Sequence, residues 1–225
     1  MKRRPIFLIA GVMLAGSRIV WCAQPSKPKG EAVITSDQLE IQDNGARTVF
    51  TGHVVLTDPP YVLRADRMVQ AKKTGIIDAH GHIEGTWISE TGEKLVAIGK
   101  DGEYRPAEKT TELWGNAKLT RWETAVDTIP VVVTADRFIT HENEHEVLAR
   151  FHVHMTQGPD KWATSDEARF DQQASTVHLW GSHQVLVHWR DAKGISDFYG
   201  DKGTLVLQPK KAQLIDHVHG HVIPL

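Results

Sequence analysis

Thirteen histidines in 225 residues are the first feature of this sequence that could do chemistry. Several fall at period two: His80 and His82, His152 and His154, and the trio His217, His219 and His221. On a strand, residues i and i+2 share a face, so each pair could offer two imidazoles to one ion. His141 and His145 form a looser pair with Glu142 beside them. A catalytic zinc site would join two or three such imidazoles to a carboxylate and a water. His141-Glu142-Asn143-Glu144-His145 has the histidine spacing of the zinc-protease motif, but not its apolar helical setting. The plainer reading is a set of solvated strand histidines, so neither metal nor cofactor is expected. A His-rich metal-binding protein stands as an alternative.

Other catalytic arrangements are missing. No serine sits in a Gly-x-Ser-x-Gly elbow and no phosphate loop is present. The chain is not expected to be an enzyme. Seven tryptophans, several near glycine, would suit sugar stacking, which makes a carbohydrate-binding β protein a further alternative; packing on a sheet face is the commoner use. Formal net charge is −2 with both signs interspersed, so nothing points to nucleic acid. Cys22 is the one cysteine, so no intramolecular disulfide can form.

The elements that would position these residues begin after a leader. Lys2, Arg3 and Arg4 precede an apolar run from Ile6 to Ala15. That resembles a secretory signal peptide, and the run is about half of the roughly 20 residues a membrane span needs. Residues 1–23 are read as a signal peptide, with an uncleaved anchor as the alternative, and 24–30 as a polar linker. From residue 31 to 225 short runs rich in Val, Ile, Leu, Thr, Phe and Trp alternate with Gly, Asp, Asn and Pro, which predicts an all-β chain.

Two motifs alternate along it. One centres on Asp: Ser36-Asp37, Ala65-Asp66, Lys100-Asp101, Ala135-Asp136, Ser165-Asp166 and Gly200-Asp201. The other centres on Gly followed by a strand: Gly52-His53, Gly81-His82, Gly115-Asn116, Gly181-Ser182 and Gly220-His221. Phe151-His152 sits where another Gly unit would fall. Asp37 to Gly52 and Asp166 to Gly181 are both 15 residues. Such units, each a strand with a turn, must stack to bury an apolar face. Glycine suits the bends and aspartate the turns, so the aspartates are read as structural. At period two Phe50, Val54 and Leu56 share one face, while Thr51, His53 and Val55 take the other. An apolar inner face of this kind serves as a packed core or, if the sheets splay, as a groove for acyl chains.

The stretch Ile34 to Val69 resembles the LptA/OstA family of periplasmic lipopolysaccharide transport proteins. The likeness lies in Ser36-Asp37, then Phe50-Thr51-Gly52-His53-Val54, then Ala65-Asp66-Arg67, with His53 where the family usually has Asn. It returns at Trp114-Gly115-Asn116-Ala117 and Ala135-Asp136-Arg137. Residues 34–153 carry it best; 160–225 are read as extra rungs of the same repeat. The resemblance implies an elongated antiparallel β-jellyroll, or β-taco, whose interior shields the acyl chains of lipid A. It implies a periplasmic bridge with transport proteins at the inner and outer membranes as partners, and head-to-tail self-association. An inner-membrane-anchored component of the same machine is the runner-up. By match, Ala32 and Ile34 line the N-terminal opening, and Phe50, Val54, Leu56 and Leu63 the interior. Ser36, Asp37, Gly52, Asp66, Gly115, Asn116 and Asp136 are its structural motif.

Overall fold

A computed structural model describes residues 32–88, 92–122, 129–141, 144, 146–171, 176–206 and 211–224. The signal peptide and linker expected at 1–30 lie outside the described residues, as do Glu142 and His145.

Among the described residues fourteen strands form one sheet: β1 (Val33–Thr35), β2 (Gln38–Gln42), β3 (Arg47–Asp58), β4 (Tyr61–Ala71), β5 (Ile77–Ile88), β6 (Lys94–Arg105), β7 (Thr110–Trp122), β8 (Val131–His141), β9 (Glu146–Gln157), β10 (Lys161–Asp171), β11 (Thr176–Asp191), β12 (Gly194–Val206), β13 (Lys211–Ile215) and β14 (His219–Pro224). Every pairing is antiparallel, and from β3 to β12 each strand pairs with the next in sequence. At one rim β1 and β2 lie end to end along β3; at the other β13 and β14 lie end to end along β12. The fold is the elongated antiparallel arrangement the sequence predicts, and the single helical turn among the described residues is Asp43–Gly45.

Each long strand is interrupted near its middle. Between β3 and β4 the register jumps from Thr51↔Arg67 to Val54↔Ala65, so Gly52 and His53 together oppose Asp66. The same two-against-one count recurs at Gly81 and His82 opposite Lys100, Gly115 and Asn116 opposite Asp136, and Phe151 and His152 opposite Asp166. A bulge of this kind bends its strand and sharpens the local twist. Aligned from strand to strand, the bulges crease the sheet lengthwise into two limbs. The limbs share one inner face, whose buried residues form a single apolar cluster.

Candidate functional site: the creased inner face and its spine

The crease is built from a repeated pair of residues. Asp37 accepts from His53 Nδ1 at 2.8 Å, Asp66 from His82 at 2.7 Å, Asp136 from His152 at 2.9 Å and Asp201 from His217 at 2.7 Å. In each case the partners are 16 residues apart in sequence. Asp166 occupies the same place but is held more fully. It accepts from the backbone N–H of Ser182 at 2.6 Å and of His183 at 3.0 Å, from the Ser182 hydroxyl, and from the His183 ring. Those hydrogen bonds, the His183 backbone bond first, hold its carboxyl far below the usual carboxylate range. At His53 and His217 the hydrogen bond to aspartate, then its charge, raise the imidazole pKa.

The glycines beside His53 and His82 follow from the same geometry. Gly52 has φ +78°, and a Cβ there would run into the Asp37 carboxylate. His53, His82, Asn116 and His152 also take positive φ, the left-handed region where Asn and His are the better-tolerated side chains. One unit departs from the sequence reading. Lys100, not Asp101, fills the crease position opposite Gly81 and His82, and it abuts Gly115. Asp101 instead accepts from His80 at 2.8 Å on the outer face.

The crease also explains why the histidine pairs do not act together. His82 and His152 sit in the bulge, whereas His80 and His154 sit on the flat of the outer face. The left-handed backbone of the bulge re-aims His82 and His152, so the two imidazoles of each pair turn to different partners. His154 lies against Trp162, and His219 stacks on Tyr199 at 5.0 Å. Among the described residues, no group of three or more His, Cys, Asp or Glu stands close enough together to hold a metal ion.

Inside the crease, two rows of residues cross the sheet from rim to rim. On one limb the register links Leu39, Phe50, Met68, Ala79, Gly102 and Leu113, then Phe138, Ala149, Ala168, Leu179, Gly203 and Leu214. On the other it links Ile34, Leu56, Leu63, Gly85, Ala97 and Leu119, then Val133, Met155, Ala163, Val187, Phe198 and Gly220. Neither row contains a polar side chain. A third row nearer the crease includes Val54 with Ala65, Ala117 with Ala135, and Val153 with Ser165. Its one buried hydroxyl, Ser165, donates to the Glu167 carbonyl.

All six residues expected in the interior fall on this face. Val54 and Leu56 belong to the buried cluster, and Ala32, Ile34, Phe50 and Leu63 pack against it half-buried. Of the motif residues, Asp37, Gly52, Asp66, Gly115, Asn116 and Asp136 line the crease, and Ser36 caps the local turn by donating to the Gln38 carbonyl. The interior is tightly filled. A cleft among Leu56, Leu63, Gly85, Trp87 and Ala97 holds about 30 Å3, roughly one water's share of liquid volume.

One feature escaped the sequence reading. On β4 the inward residues are Leu63 and Ala65, then Met68, so the alternation slips at Asp66. The same slip falls at Lys100, Asp136, Asp166 and Asp201. The signal was present in the repeated order small residue, Asp, polar residue, inward residue: Ser36-Asp37-Gln38-Leu39, Ala65-Asp66-Arg67-Met68, Ala135-Asp136-Arg137-Phe138 and Gly200-Asp201-Lys202-Gly203.

Comparison with known proteins gives a family assignment. The family model described as LptA/(LptD N-terminal domain) LPS transport protein matches residues 33–145, half of the chain. The crystal structure of LptH, the LptA homologous periplasmic component of the lipopolysaccharide transport device from Pseudomonas aeruginosa, aligns over 89% of this chain and 100% of that one. Its identity is 11% and its TM-score 0.28, too loose a superposition to add to the family match. No curated protein matches the sequence.

Proposed function

This chain belongs to the LptA/LptD N-terminal domain family of lipopolysaccharide transport proteins, and on that footing we propose that it binds lipopolysaccharide, shields the acyl chains of lipid A between its two limbs, and bridges the inner and outer membranes from the periplasm. The supporting observation is the pair of apolar rows that run uninterrupted from one rim of the sheet to the other. An acyl chain laid along them loses water from each methylene, worth about 0.8 kcal/mol per buried CH2. With the interior packed as tightly as it is, the limbs part about the crease to admit the lipid. A photocrosslinking residue placed at Phe50 or Leu63 is expected to capture lipopolysaccharide in cells, while one at the exposed, outward Thr51 is not. Absence of lipid adducts at all inner positions would sink the proposal.

The rims support head-to-tail association as the way the bridge is built. Leu39 and Ile41 at the β2 rim are 40% and 60% exposed, and Val222 at the β14 rim is 65% exposed. Unpaired strand edges offer N–H and C=O groups to another copy. The aspartate–histidine spine supports one register. The β2 rim carries the aspartate half of a pair in Asp37, and the β13–β14 rim ends on the histidine half in His217. Setting Asp37 of one copy beside His217 of the next continues the alternation found inside the chain. It also brings Leu39 against Leu214, extending the inner row without a break. Partner proteins at either membrane would meet the same two rims.

A further inference from the structure

From β3 to β10 the bulge on one strand carries one residue more than the strand it faces, whereas β11 carries three more against both its neighbours, β10 and then β12. Against β12 the register passes from Trp180↔Lys202 to Val185↔Gly200, so four residues, Gly181 to Gln184, oppose Asp201 alone. The two extra residues open a cleft of about 670 Å3 at the bulge. Its wall includes His178, Trp180, Ser182, Gln184, Lys202 and Thr204. It lies beyond residues 33–145 that match the family model; His178, Trp180, Lys202 and Thr204 alternate along their strands with Leu179 and Gly203 of the apolar row, which also line it.

Its chemistry is unlike that of the inner face. Trp114, Trp122, Trp162 and Trp189 are each covered by an arginine, a lysine or a histidine ring. Trp180 is half-buried and has no such cover among the described residues. Beside it stand neutral groups that both donate and accept hydrogen bonds: the Thr204 hydroxyl, itself 3.3 Å from His178 Nδ1, and the Gln184 amide. Asp201, the carboxylate in the cleft wall, is engaged by His217, and Asp166 next to the bulge is engaged by Ser182 and His183. Lys202 is exposed and forms no ion pair among the described residues. A half-buried aromatic ring with no cation or ring stacked on it among the described residues, neutral polar groups around it and one unpaired cation suit a sugar ring that carries an acidic substituent.

The geometry points to a saccharide site at the β11 bulge, taking a sugar that bears a phosphate or carboxylate, with Trp180 under the ring and Lys202 on the acid. Such a sugar can come from the glycan of a lipopolysaccharide or from a cell-wall fragment. Two soluble probes separate these sources: phosphorylated core oligosaccharide freed of lipid, and a muropeptide disaccharide. Each is titrated calorimetrically into the purified chain, its Trp180→Ala variant and its Lys202→Glu variant. At least one probe is expected to bind with Kd below ~1 mM, and to lose about tenfold or more in each variant. Lys202 is an exposed side chain, so Lys202→Glu tests the site even if Trp180→Ala folds poorly. Failure of both probes to bind, or binding unchanged within about twofold by Lys202→Glu, overturns the site. Lipid crosslinking at Phe50 is unmoved by Lys202→Glu whichever result is obtained, so this site and the lipid reading stand or fall separately.

Discussion

The aspartate–histidine pairs of the spine combine two jobs, filling the space over a glycine and satisfying groups that the bulge leaves unpaired. At Asp166 one carboxylate takes two backbone N–H groups. Replacing it with Ala leaves both donors without their acceptor, and charge-assisted bonds are the costly ones to lose. Asp166→Ala is expected to lower Tm by about 4 °C or more; an unchanged melt would show that water replaces the carboxylate freely. Its depressed pKa has a direction in pH: the stabilisation is present above the ordinary carboxylate value and persists far into acid. His53 and His217 run the other way. Their raised pKa values mean that the folded chain holds these protons more tightly than the unfolded one. Their contribution is full below the ordinary value of 6.5 and fades as pH rises through the raised values. Asn should replace either ring without backbone strain, as Asn116 does natively at φ +56°. Melting of the double variant His53→Asn, His217→Asn between about pH 6 and pH 8 should therefore be flatter than the parent's; an identical slope would mean that the pairs do not form in solution. The types of these residues were legible in the sequence, as two alternating motifs. Their pairing was not, because it joins neighbouring strands and only register reveals it.

At the scale of the strand, the crease demands left-handed backbone at fixed places, and the sequence meets that demand unevenly. Gly81 has φ +71°, with the Asp66 carboxylate where a Cβ would be. Gly81→Val is expected to cost about 2 kcal/mol or more, read by urea unfolding. Phe151 meets the same demand without glycine, at φ +61°, with its ring 55% exposed. Phe151→Gly should relieve about 1 kcal/mol of backbone strain and raise Tm by about 3 °C. A lower Tm would show that the exposed ring contributes more than the strain costs. Strand existence was readable from short β-rich runs between turn residues, and the inner face of β3 from plain alternation. The even strands were harder. Their alternation slips at Asp66, Asp136 and Asp201, and a period-two count carried across an aspartate assigns half of each strand to the wrong face. Asp101 misled for a related reason: it stands one residue from the crease, in a unit where Lys100 holds the place.

For the molecule as a whole, the two rims differ, so the self-association proposed through them would be heterologous and open-ended. Ile41→Lys at one rim should abolish concentration-dependent growth by light scattering while leaving Tm within about 2 °C, since Ile41 is 60% exposed in the single chain. Growth equal to the parent's would remove the rims as the contact. Family and overall architecture were legible in the sequence because the repeat is regular over residues 34–153. The β11 cleft was not, because it is an exception to the repeat. One property of the architecture reaches further. Among the described residues, ladder pairing passes only from each strand to its neighbour, and no ladder ties one limb to the other across the mouth. Spreading the mouth therefore breaks no rung of backbone hydrogen bonding, and its energetic cost is the wetting of side chains alone. That cost is incurred locally, a few strands at a time, so a gap can travel along the chain as a moving blister while the sheet on either side stays shut.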